Sequence, residues 1–269
     1  MYFKVSIDPE PPRIWWCATG PLTFLPIHAA GLYNTREPGF KTSDFAVSSY
    51  TPTLTALLER PVPARQHFQG LLAVIQPCTP GLSPLPNAEK ELSQMEQLDS
   101  SLHIHSLSGE LATVESVVNG MQERSWVHLA CHAIQDTSEP TQSAFSLQNG
   151  TLTLSKLISQ PFPHADFAFL SACQTAKGDK KLSEEAVHLA AGMLAAGYRS
   201  VIATMWSIMD EDAPVVACEV YSHLVRDPEL SSTRAAHALH HAVRCLRDQL
   251  EESGKSSFTS WVPFIHVGM

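Results

Sequence analysis

From residue 71 onward, short runs of wholly apolar residues alternate with longer stretches in which apolar positions recur every three or four residues. Continuous apolar runs mark strands covered on both faces, and the longer period marks helices, so the alternation predicts a mostly parallel sheet with crossover helices. Residues 71–77 (LLAVIQP) form the first such strand, which stops at Pro77. A Pro- and Gly-rich loop then leads to Asn87, an expected N-cap for a helix over 88–98 with Leu92, Met95 and Leu98 on one face. Residues 101–108 read as a strand, and 112–121 as a helix with Val114, Val117, Val118 and Met121 turned inward. The run WVHLACH (126–132) reads as a buried strand ending on His132.

Within 145–154 (FSLQNGTLTL), Asn149 and Gly150 sit between two alternating runs, which predicts a β-hairpin inserted between parallel strands. DFAFLSAC (166–173) is another continuous strand, ending on Cys173. The helix after it opens at Ser183, closes at Gly197 and carries small residues suited to close packing on the sheet. A strand over 200–208, helices over 213–225 and 233–250, and a last strand over 261–268 complete a core spanning 71–269. Residues 1–70 are apolar but broken by Pro and Gly, and are expected to form a less regular lobe of strands, turns and one short helix on the same sheet.

Composition narrows the function. A net charge of -9 with only 18 Lys+Arg argues against nucleic acid and anionic membranes, both of which reward clustered positive charge. The start resembles no secretory signal and no segment approaches the length of a membrane span, so a cytoplasmic protein is expected. The six cysteines show no CxxC pair, which suggests neither a disulfide framework nor a zinc knuckle. His237 and His241 lie four apart on a helix beside His240, but no HExxH pattern and no third ligand accompany them, so no metal site is expected.

His132 and Cys173 close two strands, and open parallel sheets expose reactive groups just beyond the carboxyl ends of their strands. If the two strands are neighbours, an imidazole stands beside a thiol. A free thiol, with a pKa of about 8.5, is mostly protonated near neutrality and needs such a base to act as a nucleophile. Position alone leaves the bland reading open, in which both residues are structural. Cys131 points to the opposite face and is expected in the core, and Asp136 reads as an exposed loop carboxylate rather than a third catalytic member.

The strings WVHLACHAIQD, FSLQNGTLTL, FLSACQTAKGD, AAGMLAAGYRSVIATMW and WVPFIHVG, in this order between Ile14 and Gly268, resemble the successive signatures of the CHAT domain, a relative of separase and the caspases. The resemblance implies a caspase-like three-layer α/β sandwich. It implies a cysteine endopeptidase in which His132 is the base and Cys173 the nucleophile, forming a thioester that water resolves, with no metal or organic cofactor. Backbone N–H groups of Ala133 and Cys173 would hold the oxyanion, although the family often has Gly where Ala133 stands. LSEEA stands where Gly-Glu-Gly is common, which alters the wall beside Cys173.

SIMDEDA resembles the family's turn at the rim of the specificity pocket. That places Trp206, Asp210 and Asp212 as substrate-binding candidates able to attract a basic side chain. Packing is the alternative for Trp206, and a helix N-cap the alternative for Asp212. The implied partners are a protein or peptide substrate and a regulator, since CHAT domains commonly follow TPR repeats and this chain shows no 34-residue repeat. Gated activity is therefore expected. A catalytically silent scaffold of the same fold and a different thiol enzyme, such as an acyltransferase, are the competing readings.

Overall fold

The computed structural model describes residues 11–35, 37–58, 67–136, 138–171, 185–255 and 257–269. The first 70 residues give β1 (Arg13–Trp16), β2 (Val47–Tyr50) and a short helix α1 (Leu54–Leu58). Then β3 (Leu71–Ile75), α2 (Asn87–Glu96), β4 (Ile104–Ser108) and α3 (Val114–Glu123) alternate as the periodicity requires. β5 (Trp126–Ala130) bends at Cys131 into β6 (His132–Ile134), and β7 (Ala144–Leu147), β8 (Gly150–Thr153) and α4 (Leu154–Ile158) follow. β9 (Phe167–Leu170), α5 (Glu185–Ala195), β10 (Ser200–Thr204), α6 (Ala213–Leu224), α7 (Ala235–Glu252), α8 (Phe258–Trp261) and β11 (Phe264–Gly268) complete the order.

Among the described residues, eight strands form the central sheet in the order β1-β2-β11-β10-β9-β5-β3-β4. All neighbours are parallel except β10 and β11, so the sheet consists of two parallel blocks of opposite direction. Alternate strand residues feed opposite faces. Leu72, Val74, Val127, Leu129 and Ala168 meet α3, α5 and the hairpin on one side. Leu71, Ala73, Ile75, Trp126, Phe167 and Phe169 meet α2, α6 and α7 on the other. The result is the expected three-layer sandwich, with β1 and β2 extending the sheet beyond β11.

Local structure departs from the sequence reading at four places. The strand WVHLACH is two elements: β5 stops at Ala130, and His132 begins β6, which pairs antiparallel with β7 in a separate three-stranded sheet. The hairpin turn is Gln148–Asn149, with Gly150 already paired to Leu147, because Asn149 Oδ1 is used to accept from Val114 N at the start of α3 (2.9 Å). Pro86, not Asn87, stands at the N-cap position of α2 and makes no side-chain capping bond, while the Asn87 amide donates to Asp210 Oδ2. The small residue Gly192 of α5 makes room for Leu154 of α4 rather than for the sheet; a Cβ there would lie 2.6 Å from the Leu154 methyls. Ser183 lies outside the described residues, while Gly197 follows α5 with the positive φ of 114° that ends a helix.

The sheet also buries a histidine. His266 on β11 accepts or donates to Ser200 Oγ (2.7 Å) and Ser49 Oγ (3.0 Å), linking three strands. Burial, helped by the Arg13 guanidinium, holds its pKa well below the ordinary imidazole value. Burial likewise lowers His28 to about 4. Both are neutral in the fold but take up a proton on unfolding below pH ~6.5, so the unfolded state binds more protons there and stability falls as pH falls. The melting temperature is expected to decline from pH 7 to pH 5, by the equivalent of about 1 kcal/mol per pH unit per histidine. His266→Gln should show a shallower slope. An unchanged slope would remove His266 as the cause.

Candidate active site

β3, β5, β9 and β10 run in one direction, so the segments that follow them gather at one edge of the sheet. The loop after β3 carries five of the chain's prolines and glycines between Pro77 and Pro86, and is closed by Leu85 N donating to Pro77 O (2.8 Å). Ring-restricted φ angles hold such a loop in one shape. That shape presents the Ser83 carbonyl to His132 Nε2 at 2.7 Å. A carbonyl only accepts, so Nε2 carries the proton and the neutral ring keeps its lone pair on Nδ1. His132 is 0% exposed, and its Nδ1 is buried without a hydrogen-bond partner among the described residues. Such a ring has a free lone pair on Nδ1 with which to accept a proton.

β5 and β9 are direct parallel neighbours, which the sequence could only pose as a condition. Four β5 residues pair with the ones 41 positions later, Trp126 with Phe167 through Leu129 with Leu170, and His132 and Cys173 have that same separation (173 minus 132). Cys173 itself lies outside the described residues, as does the LSEEA segment.

Just before it, Ser171 is buried and donates to Glu91 Oε1 of α2 (2.9 Å). Glu91 Oε2 stands 2.9 Å from His128 Nε2, with the two side chains 3% and 0% exposed. His128 stacks on Phe169 at 5.0 Å, and its Nδ1 lies 3.3 Å from Tyr221 Oη. Burial first, and then Glu91, keeps the Tyr221 hydroxyl protonated well above its usual range. This chain of polar groups ties α2, β5, α6 and the end of β9 together. The sequence reading missed it, although a Glu on the Ala88–Met95 face of α2 and a His inside an apolar strand were visible signals.

Ala133 is 3% exposed and paired with Phe145 on β7, so its backbone is fixed beside His132 by the small sheet. Trp206, half-buried, packs against both core clusters. Asp210 Oδ2 accepts from Asn87 N (3.1 Å) and Asn87 Nδ2 (2.7 Å), clamping the segment after β10 to the start of α2. Asp212 sits at the N-cap position of α6 but makes no capping hydrogen bond. Its buried carboxyl is raised above the usual range by burial, against a hydrogen bond from Ser260. Asp136 Oδ1 caps its own loop, accepting from Ser138 N and Glu139 N (both 2.9 Å). Cys131 is in the core, its thiol pushed by burial to about 12.

The family model described as the CHAT domain matches residues 5–269. The chain belongs to the CHAT domain family. No curated protein matches the sequence of this CHAT domain. Among solved structures it is similar to the Saccharomyces cerevisiae separase–securin complex, with a TM-score of 0.53 and 12% identity over 85% of this chain and 14% of the other. It is also similar to the Arg specific cysteine proteinase gingipain R, with a TM-score of 0.49 and 12% identity over 75% of this chain and 46% of the other. The CHAT domain thus spans less than half of either chain and has the caspase-like peptidase fold. Among its described residues, no helix is long and apolar enough to cross a membrane.

Proposed function

We propose that this CHAT domain is a cysteine-type endopeptidase in which His132 draws the proton from Cys173. The supporting observation is the anchoring of His132 Nε2 on the Ser83 carbonyl, which turns a bare, buried Nδ1 out of the ring's other side at the carboxyl end of β5. The strand that leads to Cys173 is the immediate neighbour of β5. The Cys173 thiolate attacks the peptide carbonyl, protonated His132 returns its proton to the leaving amine, and water then hydrolyses the thioester. Backbone N–H groups of Ala133 and Cys173 are the proposed oxyanion donors.

Trp206 and Asp210 are the proposed rim of the substrate pocket, with Asp212 behind them. Asp210 keeps a carboxylate at this edge while bracing α2, so a basic side chain is the preferred substrate feature. Its supply of activity is proposed to depend on a protein partner or an upstream sensor of TPR type, within the cytoplasm.

The test is cleavage of a peptide library by wild type and Cys173→Ala in parallel, with and without candidate activating partners. Cleavage after basic residues by wild type alone is the expected outcome, and Asp210→Asn should reduce that preference by about ten- to a hundredfold. Apolar preference would remove Asp210 from the pocket. Cleavage that survives Cys173→Ala would remove the dyad.

A further inference from the structure

α6 and α7 pack over one face of the sheet through Val216, Val220 and Tyr221 on one helix and Ala238, Leu239 and Ala242 on the other. Along the flank of this contact lies a group of side chains that the peptidase reading does not use. Glu219 of α6, His241 of α7 and Cys245 of α7 bring a carboxylate oxygen, an imidazole nitrogen and a thiol sulfur within 4.8 Å of one another. Cys245 Sγ is 3.6 Å from His241 Nδ1, and Glu219 Oε2 is 3.8 Å from the same nitrogen.

Cys245 and His241 already pair across one turn of α7, and Glu219 stands near the same nitrogen without reaching it, a gap that a shared ion would close. The oxygen–nitrogen distance exceeds hydrogen-bond range. Zinc bonds of about 2.3 Å to sulfur and about 2.0–2.2 Å to nitrogen and oxygen give tetrahedral edges of roughly 3.3–3.6 Å, within about half an ångström of the two distances just given, and the third edge, sulfur to carboxylate oxygen, is under 4.8 Å. The three residues are only partly buried, so small rotamer changes close the difference without disturbing the core. His223 follows Glu219 by one turn of α6, and its ring centroid is 5.8 Å from that of His241. Its Nδ1 is buried without a hydrogen-bond partner among the described residues.

We propose that Glu219, His241 and Cys245 form a binding site for a thiolate- and imidazole-preferring divalent ion of the zinc class, bridging α6 and α7. A mixed sulfur, nitrogen and oxygen set excludes Mg²⁺ and Ca²⁺ as the favoured ions, since these take all-oxygen shells. The His237–His241 spacing visible in the sequence is not the site: the partners of His241 are Cys245, one turn later, and Glu219 from the other helix. The ion joins two helices, and α6 begins directly after the Asp210–Asp212 segment at the sheet edge. Binding displaces the Cys245 proton to solvent and changes no oxidation state.

A cysteine and histidine at the proposed catalytic site would also bind such ions, so the test uses the full chain carrying Cys173→Ala, stripped with a chelator and kept reduced. Titration with Co²⁺ is expected to give one equivalent with an intense thiolate-to-cobalt band in the near ultraviolet. Zn²⁺ should displace it. A Zn²⁺ concentration about a hundredfold above its Kd should raise the melting temperature by about 5–10 °C. Cys245→Ser should abolish the band, and His241→Ala and Glu219→Gln should each weaken binding at least tenfold. Absence of the band in the Cys173→Ala chain, its persistence in Cys245→Ser, or unchanged affinity in both other variants would overturn the site. Because Cys173 is absent throughout, the result is independent of whether the chain is a peptidase.

Discussion

His132→Ala is expected to label about 10–30-fold more slowly at Cys173 with a thiol-directed peptide electrophile at pH 7, and to cleave peptides about 10²–10⁴-fold more slowly. The two numbers differ because the imidazole is proposed to act twice. Without it the thiol reverts toward a pKa of about 8.5, which leaves only about 3% thiolate at pH 7 instead of half or more. Turnover additionally loses the acid that protonates the leaving amine, which labelling does not require. Labelling of the variant should therefore recover toward pH 8.5 while cleavage does not. The substitution also strips the Ser83 carbonyl of its donor, at a cost of about 1–3 kcal/mol, so the folded fraction must be checked alongside. Equal losses in labelling and cleavage, with no recovery at high pH, would contradict the two-step role. Full labelling at pH 7 would remove His132 from the dyad and favour the scaffold reading.

The second large effect is expected at Glu91, buried beneath α2. Glu91→Ala leaves Ser171 Oγ without its acceptor and His128 Nε2 without the carboxylate oxygen that stands 2.9 Å from it. Removing one partner from a buried pair costs about 3–5 kcal/mol, which in a chain of this size lowers the melting temperature by roughly 6–20 °C. Replacement by Gln retains an acceptor for Ser171 and should recover much of that. Ser171 precedes Cys173 by two residues, so loss of its anchor should also lower kcat with little change in KM. A Glu91→Ala protein that melts like wild type would show that the pair contributes nothing to the fold.

Much of this molecule can be read from its apolar pattern, because strands buried on both faces and helices with one apolar side leave different periods in the chain. The core elements from Leu71 to Gly268 follow that rule, and Cys131 lies in the core as expected. What stayed hidden depends on partners distant in sequence. Nothing near Asn149 says that its side chain will cap α3, and nothing near Asn87 says that Asp210 will claim its amide. The bend at Cys131 was hidden because the run WVHLACH is apolar through the break, and only the pairing of His132 with Ser146 moves it to another sheet. The surrounding motifs single out His132 and Cys173 as a pair to test, whereas the Ser83 carbonyl that selects the histidine tautomer is backbone and leaves no trace in residue identity.

The reversal of direction between β10 and β11 bears on how the chain is made. β2 finds its sheet partners only in β1 and in β11, so residues 47–50 have no main-sheet edge to join until residues 264–268 have been synthesised. The β3-to-β10 block, by contrast, is joined by local crossovers and is able to assemble during translation. The amino-terminal strands, which pair with each other through Trp16 and Tyr50, must then wait through more than 200 residues of elongation before β11 can join them. Synthesis order and sheet order run against each other here, which makes this edge the place where a nascent chain is most exposed to chaperones and to aggregation.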